Sequence, residues 1–257
     1  PLRSRLSDVH FTDGQPIADL ARRVKHPGEV QALREAAEVA DIGMQQALSM
    51  VEAGVTEQEI SAAAAYAMTL AGSEDTPYLP LVCAGDHAAI GYRFPTDKRI
   101  RHGEMVYIDC GAAILNGYNG DIARTTVVGK PSDEQRKVYQ CMVDMLQSGT
   151  EAIHPGASTA DIAAAVLKAA ARAGYGDYTY YGIVGHGIGT DLHEAPAIGE
   201  KVVGGEEAAT LLENEVICLE PGVLLPGVGG GHVENMILVT ATGREPLTRT
   251  PFDDKLL

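Results

Sequence analysis

Apolar positions along this chain switch between helix-like stretches and short strand-like runs. HPGEVQALREAAEVADIGMQQALSMVEAG predicts a helix opening near Pro27 and closing at Gly54. Proline at the start and glycine past the end fit the usual asymmetry, because proline lacks an N–H the first turn does not need and glycine tolerates the left-handed exit. Thr56 with Glu59 gives a capping-box signature for a second helix, through about Leu70. LPLVCAG predicts a strand, and Pro95 to Gly103 a turn-rich connector. EMVYIDCGAAI and GYNGDIARTTVVG are two strand-like runs joined near Asn116-Gly117, a strong hairpin signal. Pro131-Ser-Asp-Glu opens a helix to about Gly149, and Ser158 or Thr159 opens another to about Gly174. After a tyrosine-rich loop at 175–181, three strand-like runs follow, around Ile183, Val216–Leu219 and Val233–Val239. A helix pair with strands and a hairpin, then a second helix pair with strands, predicts two related α+β halves. The repeat lies in architecture and not in residue identity.

Composition narrows the picture. The chain has 257 residues, 45% of them hydrophobic, enough for one large core. A net charge of −15 argues against nucleic acid and anionic membrane as partners. No run of roughly 18 or more apolar residues predicts a membrane span. No signal-peptide pattern is visible, and Cys83, Cys110, Cys141 and Cys218 form no CxxC pair. Buried, reduced thiols in a cytoplasmic protein are expected. Cys110 follows Asp109 directly, so on a strand it points to the opposite face and is not expected to be a ligand.

The chemistry is concentrated in Asp109, Asp121, His186, Glu220 and Glu234, each in a short apolar or Gly-rich context. Singly, most admit a plain role: a hairpin carboxylate for Asp109 or Asp121, a loop imidazole for His186, a strand-end turn residue for Glu220. Glu234, amid VENMILV, fits a plain role poorly, because a strand interior should not hold a lone charge. Together they are too many ionisable groups for an ordinary core, since burying each unpaired carboxylate costs about several kcal/mol. A pair of divalent cations removes that cost, and oxygen-rich sets suit Mn, Co, Zn or ferrous iron. Carboxylates bridge two such ions, with Asp121, Glu220 and Glu234 the candidates, and the chemistry implied is hydrolysis by activated water. Asp109 and Asp121 are twelve residues apart and can face the same side across the hairpin.

GHGIGTDLHEAP, LEPGV and GDIART carry a closer likeness. Over residues 20–250 the chain resembles the metallopeptidase family of methionine aminopeptidase, aminopeptidase P, prolidase and creatinase, and most closely its prolidase and aminopeptidase P branch. The resemblance implies the pita-bread fold, a curved antiparallel sheet with helices outside and pseudo-twofold halves. It implies a dimetal site of Asp109, Asp121, His186, Glu220 and Glu234, with Glu220 as general base and His193 at the scissile carbonyl or its oxyanion. The activity implied is cleavage of Xaa-Pro dipeptides or peptides.

Four departures stand out, three of them on the substrate side. Tyr92 stands where the family usually has a histidine that serves the leaving nitrogen, and a phenol is a poorer proton shuttle. His87 stands where asparagine is common, and His232 where arginine is usual. Tyr92, His87 and His232 are therefore assigned to the substrate side. The Asp109–Asp121 spacing is one residue longer than usual, and the turn is expected to absorb it. Retained ligands with altered substrate contacts leave two enzymatic alternatives: a drifted Xaa-Pro peptidase, or a creatinase-like C–N hydrolase or lyase acting on a small non-peptide molecule. A third alternative, a non-catalytic binding module, sits poorly with a full ligand set. LARRVKHPGEVQALREAAEVADIG resembles the connector and first helix that follow an N-terminal domain in prolidase relatives. Residues 1–26 are thus expected to be a connector from a missing N-terminal domain, and 27–257 the catalytic domain. In the family that missing domain supports dimer contacts, so a homodimer is possible. Tyr175, Tyr178, Tyr180 and Tyr181 are expected to be packed, or else to wall a pocket.

Overall fold

The computed structural model describes residues 2–6, 8–76, 78–111, 113–179, 183–199 and 208–257. Short helices α1 (Leu2–Arg5) and α2 (Gln15–Arg23) precede the helix pair α3 (Pro27–Ser49) and α4 (Glu57–Leu70). Strands β1 (Leu81–Ala84), β2 (Met105–Asp109), β3 (Ala113–Leu115), β4 (Tyr118–Gly120) and β5 (Ala123–Val127) complete the first half. A second helix pair, α5 (Asp133–Ala152) and α6 (Thr159–Ala173), opens the other half. It is followed by β6 (Ile183–Gly187), β7 (Glu194–Gly199), β8 (Val216–Leu219), β9 (Gly222–Leu225), β10 (Gly229–His232), β11 (Asn235–Thr240) and β12 (Gly243–Pro246).

Local chemistry accounts for most boundaries. The expected capping box is present: Glu59 N donates to Thr56 Oγ1, and Thr56 N to Glu59 Oε2. Ser132 with Gln135 repeats it at α5, and His26 caps α3 through Nδ1, with Glu29 closing the box. Two helix ends differ from expectation. α3 stops at Ser49, because the next residues turn back so that Gly54 N can donate to Ile100 O. α5 runs through Gly149 to Ala152. Gly149 is a packing residue: a Cβ there would lie 2.5 Å from Val166 and 2.8 Å from Leu219, so its absence lets α5 approach α6 and β8. Gly174 ends α6 with a φ of 86°, the left-handed exit expected of it.

The strands pair antiparallel in the orders β1-β2-β5 and β12-β11-β8-β6-β7, with the small ladders β3-β4 and β9-β10. One apolar cluster lies under α5 and α6 and another under α3 and α4, so each helix pair covers its own sheet. The predicted hairpin forms, with Asn116 and Gly117 at φ 54° and 77° in its tight turn. Its ladder is interrupted, however. Between the pairs Asp109–Ala123 and Ala113–Gly120 the first strand carries one residue more than the second. The register therefore shifts by one residue beside Gly111.

Candidate metal centre

Asp109 ends β2, and Asp121 lies just before β5, two residues from the partner of Asp109. Alternation puts both carboxylates on one face. His186 comes from β6, Glu220 follows β8, and Glu234 precedes β11, opposite Glu220 when the β8–β11 register is continued. Gly229 and Gly231 carry β10 hard against β2: a Cβ on Gly231 would lie 2.5 Å from Tyr107. Its φ of 138° is one that side-chain-bearing residues avoid. That approach brings His232 and Glu234 up to Asp109.

The five side chains converge. His186 Nε2 is 3.6 Å from Glu220 Oε1 and 3.8 Å from Asp121 Oδ2. Asp109, Asp121, His186 and Glu234 are all buried, and Glu220 nearly so. His186 Nδ1 stands 2.9 Å from its neighbour's carbonyl, Gly187 O. With the proton on Nδ1, Nε2 is left as the free lone pair a metal needs. Asp121 Oδ1 and Glu234 Oε1 are buried without a hydrogen-bond partner, which in a native protein calls for an explanation such as a cation. Ligand atoms of Asp121, His186, Cys218 and Glu234 lie within 4.8 Å of one another. A hard or borderline divalent cation fits the carboxylates and the imidazole of the centre.

Electrostatics agree. Burial first, and then the charges of Asp109 and Glu220, push Asp121 well above the ordinary carboxylate range. Glu234 is raised in the same way by burial and then Asp121, and burial also raises Glu220. Asp109 differs. Burial works to raise it, but the His232 ring, the Tyr78 hydroxyl and Gly111 N–H together hold it below its usual value. Burial lowers His186 and His193, favouring neutral imidazoles.

A cavity of about 290 Å³ opens onto the cluster, walled by Tyr78, Leu81, Tyr92 and Phe94 above the carboxylates and both histidines. A neighbouring cavity of about 520 Å³ shares Tyr92, His186, His193 and Glu220 and continues to Arg22, Asp191 and Glu194. His193 sits 4.2 Å from His186, ring centre to ring centre and edge-on. Tyr92, at a φ of 27°, donates its hydroxyl to Glu220 Oε2 at 2.8 Å.

The other two residues assigned to the substrate side are placed differently. His232 is fully buried behind the carboxylate cluster, its Nε2 3.5 Å from Asp109 Oδ2 and 3.9 Å from Glu234 Oε2. It lines neither cavity itself, but its ring lies 4.8 Å from that of Tyr107 and 6.0 Å from that of Tyr92, centre to centre, so it backs both the carboxylates and one cavity-wall residue. His87 Nδ1 lies 2.9 Å from Glu57, whose buried carboxylate also accepts from Ala84 N and Thr96 N, and it lines neither cavity. Tyr175 is buried and bonds Glu134, so it is packed and lines neither cavity at the centre, while Tyr178 is exposed. Tyr180 and Tyr181 lie outside the described residues. Sequence reasoning missed Tyr78, whose hydroxyl donates to Asp109 Oδ1 at 2.6 Å, because no spacing rule reaches from 78 to 109. It also missed Cys218, two residues before Glu220, where strand alternation gave a usable signal.

An antiparallel α+β fold in two helix-pair halves, closed over a buried centre rich in carboxylates, defines the pita-bread class. The profile described as metallopeptidase family M24 matches residues 31–241, and the chain belongs to that family. It is 34% identical over 234 residues to the Xaa-Pro dipeptidase of Pyrococcus furiosus, covering 91% of this chain and 65% of that protein. The prolidase structure from Pyrococcus horikoshii superposes with a TM-score of 0.92 at 30% identity, covering 98% of this chain and 71% of that one. An X-Pro aminopeptidase from Thermotoga maritima gives 0.89 at 28% identity, covering 97% and 68%. The chain thus spans about two thirds of the length of these relatives. Among the described residues, no helix is long and apolar enough to cross a membrane.

Proposed function

We propose that this chain is the catalytic part of a metal-dependent Xaa-Pro peptidase, acting on Xaa-Pro dipeptides or on peptides with proline in second position. The observation that carries the reading is the convergence of Asp109, Asp121, His186, Glu220 and Glu234 beneath a cavity that also holds His193 and Tyr92. The names of the relatives supply the substrate class.

Asp109, Asp121, His186, Glu220 and Glu234 would hold two divalent cations, drawn from Mn, Co, Zn or ferrous iron. When bound, such ions supply Lewis acidity and lower the pKa of water. The chain's own groups do the rest. Glu220 takes the proton of the attacking water, a role helped by burial, which holds its pKa above the ordinary carboxylate value. His193, in the cavity beside His186, hydrogen-bonds the carbonyl oxygen as charge develops there. Tyr92 holds the Glu220 carboxylate in orientation through its hydroxyl. Tyr78, Leu81 and Phe94 give an apolar wall suited to a proline ring and exclude water from one side. Residues 1–26 are read as a connector and 27–257 as the catalytic domain, in a cytoplasmic protein that can dimerise.

The test is turnover of an Xaa-Pro dipeptide and tripeptide panel by metal-reconstituted protein, with bound metal counted in the same sample. Two metals per chain with cleavage are expected. Metal-free protein that cleaves, or an Asp121→Ala variant that keeps both metal and activity, overturns the reading. Tyr92 in place of the usual histidine favours a second reading, C–N hydrolysis or a lyase reaction on a small non-peptide substrate. Tyr92→His separates the two: improved peptide cleavage supports the peptidase, and no gain with metal bound supports the second.

A further inference from the structure

Cys218 stands directly opposite His186 of β6 on one side and Met236 of β11 on the other. Residues directly opposite in antiparallel ladders point to the same face. Alternation places Glu220, two residues on, on that face as well. The thiol therefore enters the carboxylate cluster from below, where it interacts with Glu234. Its Sγ and one ligand atom each of Asp121, His186 and Glu234 all lie within 4.8 Å of one another. Independently, Asp121 Oδ1 and Glu234 Oε1 are buried in this cluster with no hydrogen-bond partner.

Sulfur changes what such a cluster prefers. Carboxylates alone suit hard ions, whereas thiolate selects for soft or borderline ones. We propose that Cys218 makes the centre thiophilic: a soft divalent cation of the cadmium or zinc type binds with Cys218 Sγ, His186 and the carboxylates of Asp121 and Glu234 as its ligands. This rests on the metal-centre reading given above. On binding, the S–H bond breaks, its proton leaves to solvent, and the electron pair left on sulfur forms the bond to the cation. Nothing is oxidised or reduced.

The other thiols serve as controls. Cys110 is equally buried and packs with Val106, Ile108 and Ile122 on the opposite face of β2. Cys141 lies in the core under α5 and α6, and Cys83 packs against Tyr107.

The experiment is titration of metal-stripped protein with cadmium alone, followed by the thiolate-to-cadmium charge-transfer absorption in the ultraviolet. Manganese binding is measured calorimetrically on the same samples. The band is expected in wild type and in Cys110→Ser and absent in Cys218→Ser, with cadmium affinity at least ~tenfold weaker there and manganese binding retained. Cys218→Thr, a strand-forming residue of similar size, serves if the serine variant does not fold. An undiminished band in either Cys218 variant overturns the proposal, as does a wild type that binds manganese but gives no band with cadmium. A wild type that binds neither cation overturns the metal-centre reading itself.

Discussion

Asp109 Oδ2 faces His232 Nε2 at 3.5 Å, deep in the carboxylate cluster, and its second oxygen accepts the Tyr78 hydroxyl at 2.6 Å. One carboxylate of the cluster is thus tied down from two sides, and it is the one whose pKa is held low. A group that orients a ligand acts on metal affinity before it acts on substrate. His232→Ala is expected to weaken metal binding by about 10–100-fold, with KM at saturating metal little changed. Metal titrations and steady-state kinetics check this together. A raised KM with intact metal affinity would return His232 to the substrate side.

That result bears on how much of the site was readable in the sequence. The convergence of Asp109, Asp121, His186, Glu220 and Glu234 was legible because a carboxylate inside a strand has few plain explanations, and Glu234 in VENMILV is the clearest case. The hairpin was legible through Asn116-Gly117, and α4 through Thr56 and Glu59. What escaped depends on contacts between distant segments. Gly149 reads as a helix stop until Val166 and Leu219 are seen against it. The closeness of His232 to Asp109 and Glu234 is invisible until Gly229 and Gly231 are seen pressing β10 onto β2. The shift beside Gly111 is a matter of register, which spacing alone does not fix.

Tyr92→Phe removes the hydroxyl bonded to Glu220 Oε2 and leaves the ring in place. Hydrogen bonds to charged groups contribute about 1.5–3 kcal/mol. The exposure of Tyr92 puts this one at the low end, near a tenfold loss in kcat. Metal affinity should weaken as well, because Tyr92 orients the carboxylate of Glu220, so kcat is compared at saturating metal. Unaltered kcat in a metal-replete Tyr92→Phe enzyme would remove Tyr92 from the machinery.

Metal removal should be felt through pH. Burial raises Asp121, Glu220 and Glu234 above their unfolded values, starting from 3.8 for Asp121 and 4.5 for each glutamate. A raised folded-state pKa means that the folded, metal-free protein holds protons the unfolded chain has already released. The associated stability is complete below the unfolded values and is lost as pH rises through the folded ones. Asp109 runs the other way, its depressed value contributing above its unfolded pKa, so three groups oppose one. The Tm of metal-free protein should therefore fall from acid towards neutral pH more steeply than that of Asp121→Asn. Manganese should raise Tm increasingly over the same interval. Parallel pH profiles for the two metal-free proteins would refute this assignment of the raised groups.

The last prediction concerns the residues before α3. Lys25 is buried and bonds Glu194 at 3.1 Å, Arg22 bonds Asp191, and Arg23 bonds Glu215 at 2.6 Å. Glu194 follows His193 directly, so this basic segment anchors the loop that presents the imidazole to the cavity. Burial lowers the pKa of Lys25, and Glu194 opposes that. Removing one member of a buried pair strands the other and costs about 3–5 kcal/mol. Glu194 keeps the Asp191 N–H and the nearby Arg22, so Lys25→Met should fall at the low end, near 3 kcal/mol. Lys25→Met with Glu194→Gln should recover much of that stability, because neither partner is then left charged and unpaired. It should recover activity only in part, since the loop keeps Arg22–Asp191 but has lost the Lys25–Glu194 ion pair. Chemical denaturation and peptide turnover on the two variants separate these effects. A double variant that regains full turnover would show that His193 is held in place without Lys25.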